Sequence, residues 1–584
     1  MSKQLTNFLA VLLLTFMFSL AILSMAGDSL TMDEVAHLPA GYSYLTQKDM
    51  RLNPEHPPLM KDLAAFPLLF IKNIKFPSEI PAWKDDINGQ WAFGYHFLYH
   101  MGNPADKMIF WARIPMILLL ILLGFFIFKW ARELFGNKVA LLALFFFSFS
   151  PTFLAHGRLV TTDVAASFGF FIGIYYFLRA LENPTRKNII FGGLAFGIAQ
   201  LLKFSVILLV PLFIFLALIW WWVNKESHKN KKNFLQPLKI LALIFLIGFL
   251  LVWSFYIYHI WGYLPERQVR DTKFLLSSFG FRPAADFVIF LADKPILRAF
   301  GQYLLGLLMV FQRAAGGHTT YFLGEVGAAG WKHYFPIVYA IKIPLAFHIL
   351  TIVALCFAAF EIKKPLFQRT FFRLKNWTKN NFPEVACLSF IALYWAVSLR
   401  SNLNIGVRHL LPAFPFTMLL VAREIGKLTA NLKKFLIVLL LLLIWQAISV
   451  ISIYPHFLAY FNELVAPNQG YLYTVNSNLD WGQDLKRLND WVEKNNIEKI
   501  YVDYFGGGDA KYYLKEKFAP WWGTRSPDEF PKGNYLAVSV TFLQGGRGLP
   551  IAGFDQPTGY YLWLYQYEPP IAKIGYSIFI YHIK

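Results

Sequence analysis

Long apolar runs separated by short polar or basic segments fill the chain as far as residue 453. About 20 apolar residues in a helix cross a hydrocarbon core of about 30 Å. Eleven runs read as membrane-spanning helices on that basis: 5–27, 112–130, 139–155, 164–181, 189–204, 206–223, 238–259, 336–360, 384–400, 409–422 and 435–453. The connecting segments alternate in character. Lys129, Arg132 and Lys138 fall on one side, and so do Arg179, Arg186 and Lys187. The same side takes Lys225, Lys229, Lys231 and Lys232, then Lys363, Lys364, Arg369, Arg373, Lys375 and Lys379, then Arg423, Lys427, Lys433 and Lys434. Cytoplasmic loops carry the excess of Lys and Arg, so the N-terminus is expected inside and the C-terminus outside.

Two outer segments are long. Residues 28–111 form the first outer loop, with amphipathic stretches such as 59–74 expected to lie along the membrane surface. Residues 260–335 form the second. Its part 295–310 is apolar enough to resemble a span, but counting it as one would move every later basic cluster to the other side. It is read as an interfacial or re-entrant helix. After residue 453 the pattern changes. Residues 486–496 read as helix, 497–505 as strand, 511–518 as helix and 535–542 as strand, without a run of spanning length. The expected fold is therefore an α-helical polytopic membrane protein of about eleven transmembrane helices, residues 1–453. A small extracytoplasmic α/β domain follows, residues 454–584. The first run could also be a signal peptide, given Lys3 and Ser24-Met25-Ala26, but it is long enough to span. Asp33 falls outside the cytoplasm either way.

Composition agrees. The 584 residues are 56% hydrophobic and only 15% charged, which excludes an ordinary soluble protein. The net charge of +20 is explained by sidedness, so no nucleic-acid partner is implied. The two cysteines, Cys356 and Cys387, lie in predicted spans and exclude both a disulfide framework and a cysteine metal site.

The chemistry-bearing residues gather at the outer ends of the runs. Asp33 and Glu34 follow the first. Glu55-His56-Pro57-Pro58 and Lys61 lie in the first outer loop. His156, Arg158 and Asp163 occupy the next outer turn, and Lys203, Lys342 and Arg408-His409 mark later ones. Transporters place ionisable groups near the bilayer midplane, where this chain has few. That argues against a lipid-carrier transporter or flippase, the contrasting class. Carboxylates and cations at one membrane edge suit sugar transfer from a lipid-linked phosphate. A carboxylate takes the proton of an acceptor hydroxyl, and cations stabilise the departing phosphate. Plainer roles exist for each group. Asp33-Glu34 can cap a helix, Arg408-His409 can anchor at the interface, and Lys342 can be buried beside a carboxylate. Asp480 to Asp484 can open a soluble helix.

Together these residues resemble polytopic glycosyltransferases of the C superfamily, above all bacterial relatives of the protein O-mannosyltransferases (family 39). Phe93-Gly94, Arg132 to Gly136, Ser150 to Gly157, Tyr321 to Gly324, Tyr454 to Glu463 and Ser477 to Asp484 carry the same likeness. The resemblance implies a glycosyltransferase of the plasma membrane that uses a polyprenyl-phosphate-linked sugar. Its acceptor is a protein, lipid or glycan, and membrane lipids surround it. It implies Asp33 as catalytic base with Glu34 beside it, Asp163 as the second acid, and Glu55 to Pro58 shaping the donor site with Lys61. Arg158, Lys203, Lys342, Arg408 and His409 are the basic positions for the donor, with Lys203 and Arg408 the best matches for its phosphate. No cofactor is firmly implied. A divalent cation has only two weak candidate ligands, Glu55 and His318. The chain also departs from its relatives: aminoarabinose transferases have Lys where His56 precedes the paired prolines, and no β-trefoil is evident. A transfer like that of an oligosaccharyltransferase is the runner-up. It lacks its metal-binding Asp-x-Asp, and Trp521-Trp522-Gly523 lacks the aspartate of that group's signature, so packing is the expected role of these tryptophans.

Overall fold

A computed structural model describes residues 1–224, 235–363 and 370–584. The predicted basic positions Lys225, Lys229, Lys231, Lys232, Lys364 and Arg369 lie outside the described residues. Among those described, six helices are long and apolar enough to span: Lys3–Met25, Ala105–Phe135, Thr162–Glu182, Phe204–Asn224, Leu235–His259 and Phe382–Arg400. Tyr334–Lys342 and Leu345–Glu361 make a seventh if a pair bent by 112° counts as one span. The remaining predicted runs are helical but shorter or more polar: Asn137–Ser148, Arg186–Leu202, Phe414–Asn431 and Phe435–Ile451. The chain is thus an integral membrane protein in which six or seven described helices meet the length and apolarity test, fewer than the eleven runs read as spans.

Proline explains several of the shortfalls. Pro151 opens a separate helical turn after Asn137–Ser148. Pro412 sits in a 3₁₀ segment, Val407–Ala413, where the predicted 409–422 span begins. Pro344 lies in the break of the bent pair, where it supplies no N–H to continue the helix. The carbonyls freed at that break are taken by Asn462. Its side-chain amide donates to Ala340 and Ile343 at 2.6 and 2.7 Å, and its backbone N–H donates to Ile341 at 2.9 Å. The Tyr454–Glu463 motif therefore seals a broken helix.

Thr162–Glu182, which carries Asp163, is the most enclosed of the spans, with 89% of its apolar window buried. Around it, Arg186–Leu202 and Leu235–His259 approach through Gly193, Gly197 and Gly248, where an added Cβ would clash with the facing helix. The second outer loop forms three amphipathic helices, Pro265–Leu275, Arg282–Ala292 and Arg298–Gly316. The last takes in the predicted 295–310 stretch from Arg298 onward and does not qualify as a span. It lies across the Glu55 turn: a Cβ on Gly306 would come within 2.2 Å of the Pro54 carbonyl.

The C-terminal sheet has five strands, in the order Phe518–Pro520, Ile500–Asp503, Asn534–Ser539, Ile578–Ile583, Ala572–Ile574. The first three run parallel and the last two pair antiparallel. The predicted strand 535–542 ends at Ser539 and turns into helix Val540–Arg547. The domain is not confined to residues 454–584. A hairpin from the second outer loop, Thr320–Phe322 and Glu325–Gly327, pairs with Leu549–Pro550. Residues 454–484, placed by the sequence in the α/β domain, carry no sheet strand and run back over the membrane domain. Their Trp481–Gln483 stretch fastens the chain just ahead of Asp33. Ser29 and Met32 donate backbone N–H groups to Gln483 and Trp481 at 2.9 and 3.0 Å. Gly507 packs on the Thr31 carbonyl so closely that a Cβ would reach 2.4 Å.

Candidate active site

Asp33 precedes helix Glu34–Gln47 but makes no capping hydrogen bond. Its Oδ2 instead accepts from Arg408 Nη1 at 2.8 Å. The same Nη1 donates to Asp163 Oδ2 at 3.2 Å, and Asp163 Oδ1 accepts from Lys203 Nζ at 2.6 Å. The Arg408 guanidinium lies 4.1 Å over the Trp481 ring, which fixes its position. Its Nε is buried and has no hydrogen-bond partner among the described residues. Gly406 makes the approach possible: its φ is 140°, and a Cβ there would strike Ser477 Oγ at 2.2 Å.

The two carboxylates differ in access. The Asp33 side chain is 25% exposed and that of Asp163 only 1%. Burial pushes the Asp33 carboxyl up, but Arg408 and then His37 outweigh it and hold it below the usual aspartate range. Asp33 is therefore ionised. His37, one turn on, bonds the Val160 carbonyl through Nδ1 at 2.8 Å and meets His56 edge to face at 4.9 Å. Burial keeps His56 far below the ordinary histidine range, aided by His37, Lys61, Lys203 and Arg313. Burial, Arg313 and Arg408 also hold His318 low. His409, next to Arg408, feels Lys203 and Asp163. Asp33, His37, His56, Asp163, Lys203, His318, Arg408 and His409 thus surround one polar cluster.

Other predicted site residues sit elsewhere. Glu34 faces away from Asp33. It takes Arg113 Nε and Nη2 at 2.9 and 2.6 Å, Thr31 N and Oγ1 at 2.9 and 3.0 Å, and Val160 N at 2.9 Å. With no exposure, it ties the first outer loop to the helix Ala105–Phe135 and to the 157–161 turn. Lys61 is as deeply buried. Its Nζ donates among the Tyr44 hydroxyl, both Asn53 oxygens and the His56 carbonyl at 2.7–2.9 Å. Burial lowers it to about 7. It shapes the Glu55–Pro58 turn from behind. Glu55 accepts from Asn88 and Gln90. Lys342 has no carboxylate partner among the described residues; it donates to the carbonyls of Leu458 and Asn478 at 2.9 and 2.6 Å. Arg158 pairs with Asp28 at 2.9 Å, and Asp28 with Arg487 at 2.8 Å. The Asp484 end of the Ser477–Asp484 motif joins them by an ion pair with Arg487 and by accepting from Ser577 at 2.7 Å.

No group of three or more His, Cys, Asp or Glu that could hold a metal ion occurs among the described residues. Glu55, one of the two weak candidates, accepts an amide on each oxygen. The sequence reading missed two residues, Arg113, the partner of Glu34, and Arg313, an exposed cation near His56 and His318; it placed Trp481 in the Ser477–Asp484 motif without relating it to Arg408. Arg113 carried a signal, being the one arginine between Trp111 and the apolar stretch that follows. Arg313 carried none.

The resemblance to polytopic glycosyltransferases meets a family model over part of the membrane domain. Residues 105–255 match the family described as dolichyl-phosphate-mannose-protein mannosyltransferase. No curated protein sequence matches the chain significantly. Several solved structures align. The S. cerevisiae protein O-mannosyltransferase Pmt1–Pmt2 complex, bound to the sugar donor, is 18% identical over 45% of this chain, with a TM-score of 0.36. This chain spans 34% of that one. The archaeal oligosaccharyltransferase AglB from Archaeoglobus fulgidus is 11% identical over 94% of this chain and 71% of its own, with a TM-score of 0.47. ArnT from Cupriavidus metallidurans, bound to undecaprenyl phosphate, is 14% identical over 98% and 97%, with a TM-score of 0.29.

Proposed function

We propose that the protein transfers a sugar from a polyprenyl-phosphate carrier to an acceptor hydroxyl on the extracytoplasmic side of the membrane. The observation that carries this reading is Arg408, held on Trp481 and shared between Asp33 and Asp163. A sugar phosphate donor needs a cation at its leaving oxygen and a base at the acceptor. Here the two stand in contact.

Asp33, the more exposed carboxylate, takes the acceptor proton. The acceptor oxygen then attacks the anomeric carbon, and the sugar–oxygen bond to phosphate breaks with its electron pair on the phosphate. Arg408 and Lys203 stabilise the charge that grows there. Asp163 holds both cations in place. Glu34, Lys61, Lys342 and Arg158 support the walls, a reading favoured by their burial, by the ion pairs of Glu34 and Arg158 and by the hydrogen bonds of both lysines.

The test uses the purified full chain in lipid nanodiscs with a defined polyprenyl phosphate sugar and a panel of peptide, lipid and glycan acceptors. Release of free polyprenyl phosphate by the wild type, lost in Asp33→Asn, is the expected result. Absence of any carrier release across donors and acceptors would refute the reading.

A further inference from the structure

Arg408 is committed twice before any donor arrives. One nitrogen, Nη1, serves both Asp33 at 2.8 Å and Asp163 at 3.2 Å, while Nε is buried with no hydrogen-bond partner among the described residues. The two carboxylates are not equally dependent on it. Asp163 keeps a second cation, Lys203 at 2.6 Å, whereas no other ion pair to Asp33 is found among the described residues. An anion that binds the guanidinium through Nη1 competes with the nearer and more exposed of that nitrogen's partners. Trp481 under the guanidinium prevents it from swinging away to serve both.

We propose that the donor phosphate displaces Asp33 from Arg408, so that binding the donor is what frees the base for the acceptor. This rests on the reading of the site as a polyprenyl phosphate sugar transferase. In the free protein Asp33 is a neutralised, weakly basic partner of Arg408. With phosphate on Arg408, its negative charge loses that neutralisation and gains an anionic neighbour. Both changes raise its affinity for a proton. The proton it then accepts is that of the acceptor hydroxyl, whose oxygen bonds the anomeric carbon as the phosphate departs with the bonding pair. Departure of the carrier phosphate returns Arg408 to Asp33. The order of binding follows: donor first, acceptor second. A water or a misplaced hydroxyl meets an idle base when no donor is present.

The experiment is a binding cycle with the full chain in detergent micelles and polyprenyl phosphate lacking a sugar as probe. If Asp33 competes for Arg408, Asp33→Asn binds the probe about ten-fold or more tightly than the wild type. Simple removal of a repelling charge would also tighten binding, but it would do so without Arg408. The cycle therefore repeats Asp33→Asn in an Arg408→Met background, where exchange predicts less than about a two-fold change. Equal tightening in both backgrounds, or none in the wild-type background, overturns the exchange. Lack of any saturable binding of polyprenyl phosphate by the wild type refutes the functional reading instead. Thermal melts of all four proteins show that each is folded.

Discussion

Glu34 and Arg113 form a buried ion pair, with Nη2 to Oε2 at 2.6 Å and Nε to Oε1 at 2.9 Å, and each side chain is about 1% exposed. Glu34 is adjacent to Asp33 in the chain, yet it serves the frame and Asp33 the opening. Breaking one partner of a buried pair leaves the other charge uncompensated, at a cost of about 3–5 kcal/mol. Glu34→Gln is therefore expected to lower thermal stability far more than Asp33→Asn does. Per folded molecule, it should retain more transfer activity than Asp33→Asn. Paired melting curves and rates corrected for folded fraction check both statements.

Asp33→Asn keeps the shape of the side chain but cannot take a proton. Turnover should fall about 10²–10⁴-fold, the usual cost of losing a general base. Binding of the carrier phosphate should survive. Normal transfer by the pure variant would move the base to another residue, with Asp163 next.

Arg408→Ala and Lys203→Ala should each slow single-turnover transfer at saturating donor by roughly 10²-fold or more, since a cation near the leaving phosphate acts most strongly in the transition state. Arg408→Lys should rescue only in part. Lysine lacks the planar fork and its stacking on Trp481. An unchanged rate in Arg408→Ala would reduce this residue to an interface anchor.

Asp480 is buried and accepts from Thr541 N at 2.9 Å. Burial raises its carboxyl to about 7. A group whose folded value lies above its unfolded value favours the fold fully at low pH. That contribution is lost as pH rises from about 4 through 7. Asp480→Asn keeps an acceptor for Thr541 and has no charge to bury. It should match the wild type near pH 4 and exceed it at pH 8, by on the order of a few kcal/mol. Melting temperatures across this range decide it; a constant difference would show that Asp480 does not titrate there.

The proposed orientation predicts which positions reagents reach. In a background with Cys356 and Cys387 replaced by serine, Glu498→Cys should react with an impermeant thiol reagent on sealed cells. Trp377→Cys should not. Labelling at 377 alone would invert the protein.

What the sequence determined by itself was local. Apolar runs long enough to cross a bilayer, basic connecting segments and a change of period after residue 453 are properties of neighbouring residues, and the helices and the C-terminal sheet follow them. The acidic and basic groups at the outer ends were legible for the same reason, because an ion beside an apolar run stands out. Where helices end was less legible, since Pro344 and Pro412 act on hydrogen bonds whose replacements, such as Asn462, come from far along the chain. Tertiary structure alone decided which ion meets which. Asp33 and Arg408 lie 375 residues apart, and nothing local relates them. It also separated Asp33 from Glu34. Successive side chains on a helix point about 100° apart, so one of two identical charges turns to Arg113 in the protein's interior and the other to Arg408. The Ser477–Asp484 motif shows the same division. Its residues were visible as a motif, but only folding set Trp481 beneath Arg408, because stacking is a relation between surfaces and not a property of either residue.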